Sequence, residues 1–412
     1  MKLYPANILL PDFSSVDGRK WATVACDQYT SEPEYWERVR KYTDGVPTTL
    51  DLMLPEVWLG DAQTRTPAIH KNMEKYLSDG IFAEHPECGV YLERRQNDGR
   101  IRRGLIVCID LDDYDYRPGA SSPIRATEKT VVERIPPRLA VRRGAPLEMP
   151  HVMLLSDDPS GKLFAPFLGK AADAYEFELM ENGGSVRASF VSAEEISAFE
   201  DRLNESVRKR GVKSPMILAV GDGNHSLATA KAAYEEFKQT LSAEEAKQHP
   251  ARFALCEIVD LGDEALEFEP IYRIVDTPDT DALIGAFRKY TEGLHGNMPE
   301  QIFTVIKGDD GKCCEITVKA AFPELSLPVA TLQRFLDEYA KSHPDIVTDY
   351  IHGDDTLRRL SMRKGTVGFL FDGMEKGDLF SAVESDGALP RKTFSMGHAN
   401  DKRFYIECRK IR

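Results

Sequence analysis

One stretch does most to limit what this chain can fold into: residues 215–238, PMILAVGDGNHSLATAKAAYEEFK. An apolar run, 216–220, meets Gly221-Asp222-Gly223-Asn224-His225 without a break, and an alanine-rich segment of helical periodicity follows from Leu227. The order is strand, tight turn, helix. Such a junction gathers backbone N–H groups at the positive end of a helix dipole, while Asp222, Asn224 and His225 add an acid, an amide and an imidazole within four residues. That chemistry suits an anionic or phosphorylated ligand. The plainer alternative gives the glycines only a sharp turn to make, with Asn224 or Ser226 capping the helix.

At 412 residues the chain is too long for one small core, so two or three lobes are expected. Its 42% hydrophobic and 29% charged residues are those of an ordinary soluble globular protein. Nothing resembles a membrane span, and the opening MKLYPANILLPDF reaches Pro11 and Asp12 before a signal-peptide apolar region can form. Seven cysteines, at 26, 88, 108, 256, 313, 314 and 408, make no C-x-x-C pair and cannot all pair within one chain, so a reducing cytoplasm is the expected setting. The net charge of −14 counts against a dedicated nucleic-acid binder. The basic stretch 134–143 (RIPPRLAVRR) is the local exception, read here as a solvated loop or a face packed on acidic residues. A small-molecule partner fits better, and a homo-oligomer stays open.

Along the chain, helix and strand signals alternate, which gives a mixed α/β class with some α+β character. A buried strand is expected over 21–27, a capping box at 31–34 (SEPE) leading a helix, and a further helix over 62–77. Hairpins are expected about Asn97-Asp98-Gly99, Asn182-Gly183-Gly184 and 308–311 (GDDG), and another capping box runs from Ser192 to Glu195. Strands are expected at 151–155, 253–259, 271–275, 367–371 and 403–408. The long segment 112–150 reads as a functional loop, since Val131, Val132 and Ile135 count against disorder. Within it Arg125, Glu128, Lys129 and Thr130 are second candidates, unless they form a short amphipathic helix. A change near 277–279 separates region 1–276 from a C-terminal α/β lobe, 277–412, with no low-complexity linker between them.

Common site patterns are missing. His225, His352 and His398 lie in polar, glycine-flanked loops but without the paired spacing of a zinc site. Magnesium carried by a nucleotide needs one or two carboxylates, for which Asp222 or Asp354 would serve. There is no G-x-x-x-x-G-K-[ST] loop, no third glycine after Gly221-x-Gly223 for a dinucleotide fingerprint, and no G-x-S-x-G elbow. Cys26 is conceivable as a nucleophile, though a small buried cysteine is the commoner case.

Gly-Asp-Gly-Asn-His at 221–225, Arg125-x-x-Glu128-Lys129-Thr130 upstream, and Leu389-Pro390-Arg391-Lys392-Thr393 near the end together resemble the bacterial and archaeal family called domain of unknown function 1015, over essentially the whole chain. Through its D-G-[HN]-H turn that family looks similar to the ParB/sulfiredoxin superfamily, which includes ParB nucleotide-binding domains, sulfiredoxin and free-serine kinases. The resemblance implies a ParB/sulfiredoxin-like core around the strand–GDGNH–helix unit, with added lobes, and a nucleoside di- or triphosphate with Mg2+ at the turn. The kinase turn D-G-H-H-R falls on Asp222, Gly223, Asn224, His225 and Ser226, so an amide replaces a histidine and a hydroxyl replaces the arginine. A cation must then come from Arg125, Lys129, Lys231 or Arg391. Where many members carry a P-P-Y-D type segment, this chain has Ala25-Cys26-Asp27-Gln28-Tyr29, which carries over Asp27. On this resemblance Gly221, Gly223, Asn224 and Ser226 cradle phosphate, and Asp222 orients the ligand or its magnesium. His225 hydrogen-bonds the transferring group and Glu128 is the base, in a phosphotransferase acting on a small hydroxyl metabolite. The alternative is a nucleotide- or metabolite-sensing regulator of the ParB-like type that transfers nothing.

Overall fold

Leu105, Ile106, Val107, Cys108 and Ile109 follow one another without a polar break and all five are buried, as a strand covered on both faces requires. In the computed structural model, which describes every residue except 31, 118, 131–134, 213 and 310, they sit inside an eleven-stranded sheet. Its strands are β1 (Leu3–Tyr4), β2 (Ala6–Pro11), β3 (Phe82–Arg95), β4 (Ile101–Asp110), β5 (Tyr114–Asp115) and β6 (Ile124–Ala126). They continue with β7 (Met153–Ser156), β8 (Tyr175–Glu178), β9 (Ser185–Ser192), β10 (Leu218–Asp222) and β11 (Phe253–Asp260). The order in space is β8-β9-β3-β4-β11-β7-β10-β6-β5, with β1 added on β4 and β2 on β3. Most pairs are antiparallel, but β11–β7, β10–β6 and β6–β5 are parallel.

Period-two alternation divides the core. Ile106 and Cys108 face Trp21, Trp36 and Met73 on one side, whereas Leu105, Val107 and Ile109 face Phe199, Leu227 and Tyr234 on the other. Helices α1 (Pro33–Tyr42) and α2 (Ala62–Ser78) contribute to the first face. Helix α3 (Ile135–Arg142) packs Ile135 and Leu139 onto Ala228, which the small side chains of the alanine-rich segment permit. The second face is covered by α4 (Ala193–Lys209) and α5 (Asn224–Lys238).

Local chemistry accounts for several boundaries. The hairpins β3–β4 and β8–β9 form as expected, and the Ser192–Glu195 capping box opens α4. The expected strand over 21–27 shrinks to Thr23–Val24, because Asp17 accepts from the Arg19 N–H and starts a helical turn, Gly18–Trp21. Helix α1 has Glu32 as N-cap and Pro33 at its first position; Ser31, the expected cap, lies outside the described residues. Segment 112–150 is not one loop but carries β5, β6 and α3. Arg125 lies on a strand rather than on an amphipathic helix, and Val131, Val132 and Arg134 lie outside the described residues. The expected final strand is split: Phe404–Tyr405 pairs with Thr23–Val24, and Arg409–Lys410 with Leu147–Glu148.

Two compact units result, Met1–Leu266 with His398–Arg412, and Glu267–Gly397. The division differs from 276/277 because strand β12 (Phe268–Asp276) belongs to the second unit's own sheet. That sheet adds β13 (Gln301–Asp309), β14 (Lys312–Ala320), β15 (Val347–His352), β16 (Thr366–Phe371) and β17 (Phe394–Met396), in the order β14-β13-β16-β12-β15 with β17 on β12. Asp310, in the expected turn of the β13–β14 hairpin, lies outside the described residues. Phe287, on helix α6 (Thr280–Glu292), packs edge-on against Phe303 and Phe369. Among the described residues no helix is long and apolar enough to cross a membrane.

Candidate functional site

Strand β10 ends in a bulge: Val220 pairs with Leu154 but Asp222 with Met153, leaving Gly221 as the extra residue. Gly223 then takes φ 78° and ψ 26° as N-cap of α5, a left-handed conformation that a residue with a Cβ enters only with strain. The approach is also close, since a Cβ there would lie 3.0 Å from Val152 Cα and 3.4 Å from His151 Cδ2. A glycine N-cap brings no capping side chain to the first amides of α5. The buried Oδ1 of Asn224 has no hydrogen-bond partner among the described residues. Asp222 holds the turn's shape: its Oδ1 accepts the Gly223 N–H at 3.0 Å, and its Oδ2 stands 3.4 Å from Lys402 Nζ.

His151 lies against this turn and is 5% exposed. Its Nδ1 is 2.6 Å from the Tyr405 hydroxyl, its Nε2 is 3.0 Å from Ser226 Oγ, and Nε2 is 3.8 Å from Asp27 Oδ2. Burial first, with the neighbouring Cys26 and Asp27 adding to it, raises the Tyr405 phenol well above its ordinary value, so it keeps its proton. The Nδ1 edge of the imidazole is thus turned to Tyr405 and its Nε2 edge to Ser226 and Asp27. Burial works to raise the Asp27 carboxyl, but the His151 charge, a 3.0 Å hydrogen bond from Gln28 Nε2 and the Lys402 charge outweigh it and hold it below the ordinary value. An ionised acid beside an imidazole is an arrangement that can accept and return a proton. Cys26 does not join it as a nucleophile: burial first, then Asp27 and Glu56, push its thiol up.

Lys402 reaches Asp222 because its loop is gripped by its own carbonyls. Arg94 donates to the carbonyls of Asn400 and Lys402, and Arg102 Nη1 to that of Asp401 at 2.5 Å. Both arginines are buried.

The residues 221–226 are together by construction, with His225 half-buried in the first turn of α5. Strand β6 sets Ala126 opposite Val220, and Thr127 Oγ1 donates to the Val220 carbonyl at 2.7 Å, so the chain of Glu128 and Lys129 enters beside the turn. Glu128 is half-buried and Lys129 exposed. Arg125 points the other way: it donates to the carbonyls of Ser122 at 2.9 Å and Ser214 at 2.7 Å, which precede β6 and β10. Lys231 is held by the Leu111 carbonyl at 2.9 Å and by Glu235 at 2.9 Å. Arg391 and Asp354 belong to the second unit, where Arg391 Nε donates to the Tyr350 hydroxyl at 2.9 Å and Asp354 pairs with Arg358. Among the described residues no group of three metal-ligating side chains exists. The turn brings together the first amides of α5, the Asp222 carboxylate and the Lys402 ammonium.

His151, Tyr405 and Lys402 were not singled out by sequence. His151 and Tyr405 are 254 positions apart, so no local spacing announces their contact; the one hint is a histidine opening the apolar run 152–155.

A profile of the family described as "Protein of unknown function (DUF1015)" matches residues 12–339. The chain belongs to this family. No curated protein matches it. Among solved structures, this chain is similar to a mutant free serine kinase in complex with AMP, at TM-score 0.40 and 11% identity over 74% of this chain and 92% of that one. A mutant free serine kinase in complex with ADP gives TM-score 0.40 and 12% identity over 77% and 95%. A conserved hypothetical protein from Pyrococcus furiosus gives TM-score 0.36 and 12% identity over 74% and 95%.

Proposed function

We propose that this protein binds a nucleoside phosphate at the β10–α5 turn, within a ParB/sulfiredoxin-like core, and transfers a phosphoryl group to a small hydroxyl metabolite. The observation that carries the reading is the meeting of a glycine-capped helix start with a paired acid and imidazole: Gly223 would touch His151 if it had a Cβ, and His151 reaches both Ser226 and Asp27. Phosphoryl transfer asks a protein mainly for positioning and for positive charge on the phosphate oxygens. The amides of Asn224 and His225 hold those oxygens, and Lys402 stands in for the arginine that Ser226 replaces. The amide of Asn224, with its Oδ1 unpartnered, serves the ligand's polar groups. Asp222 takes the magnesium that a nucleotide brings, and His225 hydrogen-bonds the transferring group. A bound nucleotide supplies the phosphoryl group itself. Asp27, held ionised, receives the acceptor's proton and shares it with His151; Glu128 is the second carboxylate beside the turn.

One feature favours a second reading, a nucleotide- or metabolite-sensing regulator: Ser226 stands where the kinase turn has arginine, and its hydroxyl is already held by His151. Incubation with ATP, ADP or CTP, magnesium and a pool of hydroxylated metabolites separates the two by mass spectrometry. A new phosphorylated product that disappears in Asp27→Asn supports transfer, with Glu128→Gln showing whether the second carboxylate is also needed. A nucleotide-dependent thermal shift with no product supports the sensor.

A further inference from the structure

Beside His151 and Ser226 the first unit has a partly open cavity of about 160 Å³. Its walls are chiefly hydrocarbon and thioether, from Leu52, Met53, Met73, Val141, Leu147 and Met149. Its polar lining at the site is the His151 ring with the hydroxyls of Ser226 and Tyr405. Two ion pairs also border it, Arg138 with Glu56 and Arg142 with Glu148 at 2.6 Å, and Glu148 is held in addition by Arg409 at 2.6 Å. A cavity of about 150 Å³ lined by aliphatic and aromatic side chains stays dry and accepts benzene, so this one has room for a hydrocarbon group of roughly six carbons.

We propose that the cavity receives an apolar group of about six carbons, so that the hydroxyl compound taken at the turn is amphipathic, its hydroxyl at His151 and Ser226 and its hydrocarbon part between α2, α3 and α5. This rests on the preceding reading for the hydroxyl's role as acceptor. The occupancy of the cavity does not depend on it. Methionine softness and lack of branching suit a site that must close around a flexible chain.

The test uses the full-length protein labelled with 13C in its methionine methyl groups, titrated with 1-alkanols from ethanol to 1-octanol and with benzyl alcohol. The methyl signals of Met53, Met73 and Met149 are expected to shift, with affinity rising about fourfold per methylene up to roughly six carbons and then levelling. Filling the cavity from α5 by Ala230→Leu, or from its opposite wall by Met53→Phe, is expected to abolish those shifts while leaving the binding of magnesium nucleotides in place. A flat series, or shifts spread over methionines outside the cavity, overturns the proposal. So does loss of nucleotide rather than alcohol binding in the filled variants, which would put the base in the cavity. Alcohol binding without any nucleotide binding defeats the phosphotransfer reading and leaves the cavity assignment standing.

Discussion

Glu257 and Asp27 are both carboxylates held near positive charge in the first unit, yet their surroundings differ. Glu257 is 0% exposed, 3.1 Å from Arg403 Nη1 and 3.5 Å from Arg102 Nε, and Arg403 turns also to Glu407, which accepts from the Tyr175 hydroxyl. Burial works to raise Glu257, but Arg102, Arg403 and Arg94 hold it below its ordinary value. Asp27 is a quarter exposed and faces His151 across 3.8 Å, while Asp222 faces Lys402 across 3.4 Å. In the first cluster the charges close on one another and exclude water. In the second, opposite charges stand apart around an uncapped helix start, which leaves their fields directed at whatever enters. The first also builds the second, because Arg94 and Arg102 hold the loop that presents Lys402.

Removing one partner of the buried cluster should have the largest effect. Glu257→Leu strands Arg102 and Arg403, and a loss of about 3–5 kcal/mol is expected in urea unfolding, against less than about 1 kcal/mol for Asp27→Asn, whose carboxylate keeps contact with water. The sign with pH follows: Glu257 titrates lower in the fold than in the unfolded chain, so its contribution is present above about pH 4.3 and disappears as the pH falls through its folded value. Equal costs for the two variants would erase the contrast.

The link between the clusters predicts an intermediate effect. Arg94→Met and Lys402→Met should each lower nucleotide affinity about tenfold, or about 1.4 kcal/mol, and the double variant should be little worse than either. Simple additivity would mean that Arg94 does not act through Lys402. Asp260 supplies the smallest effect. Burial, followed by the charges of Asp158, Asp157 and Asp263, raises it to about 7, against the opposing Gly262 N–H. Because the folded form keeps that proton, stability falls as pH rises from about 4 through 7 and stays lower above. Asp260→Asn should therefore raise the melting temperature by about 2 °C at pH 8 and leave it unchanged at pH 4.

What the sequence shows and what it hides divide along the same physical line. Gly99, Gly184 and Gly223 all take positive φ where a turn was expected, and the Ser192–Glu195 box forms, because each is decided within a few residues. The turn was legible for that reason. The cation beside it was not: Arg125 donates to Ser122 and Ser214, and Lys402, next to Asp222, is delivered from the far end of the chain by arginines on β3 and β4. The same applies to the division of the chain, since 398–412 returns to the first unit by pairing across it at Thr23–Val24 and Leu147–Glu148.

Calorimetric titration of ATP, ADP and CTP with magnesium into the wild type, Asp222→Ala and Lys402→Met bears most directly on the assignment of the turn. Binding of at least one nucleotide by the wild type, weakened about tenfold or more in both variants, is the expected result. No binding of any of them, or affinity unchanged by both substitutions, would contradict it.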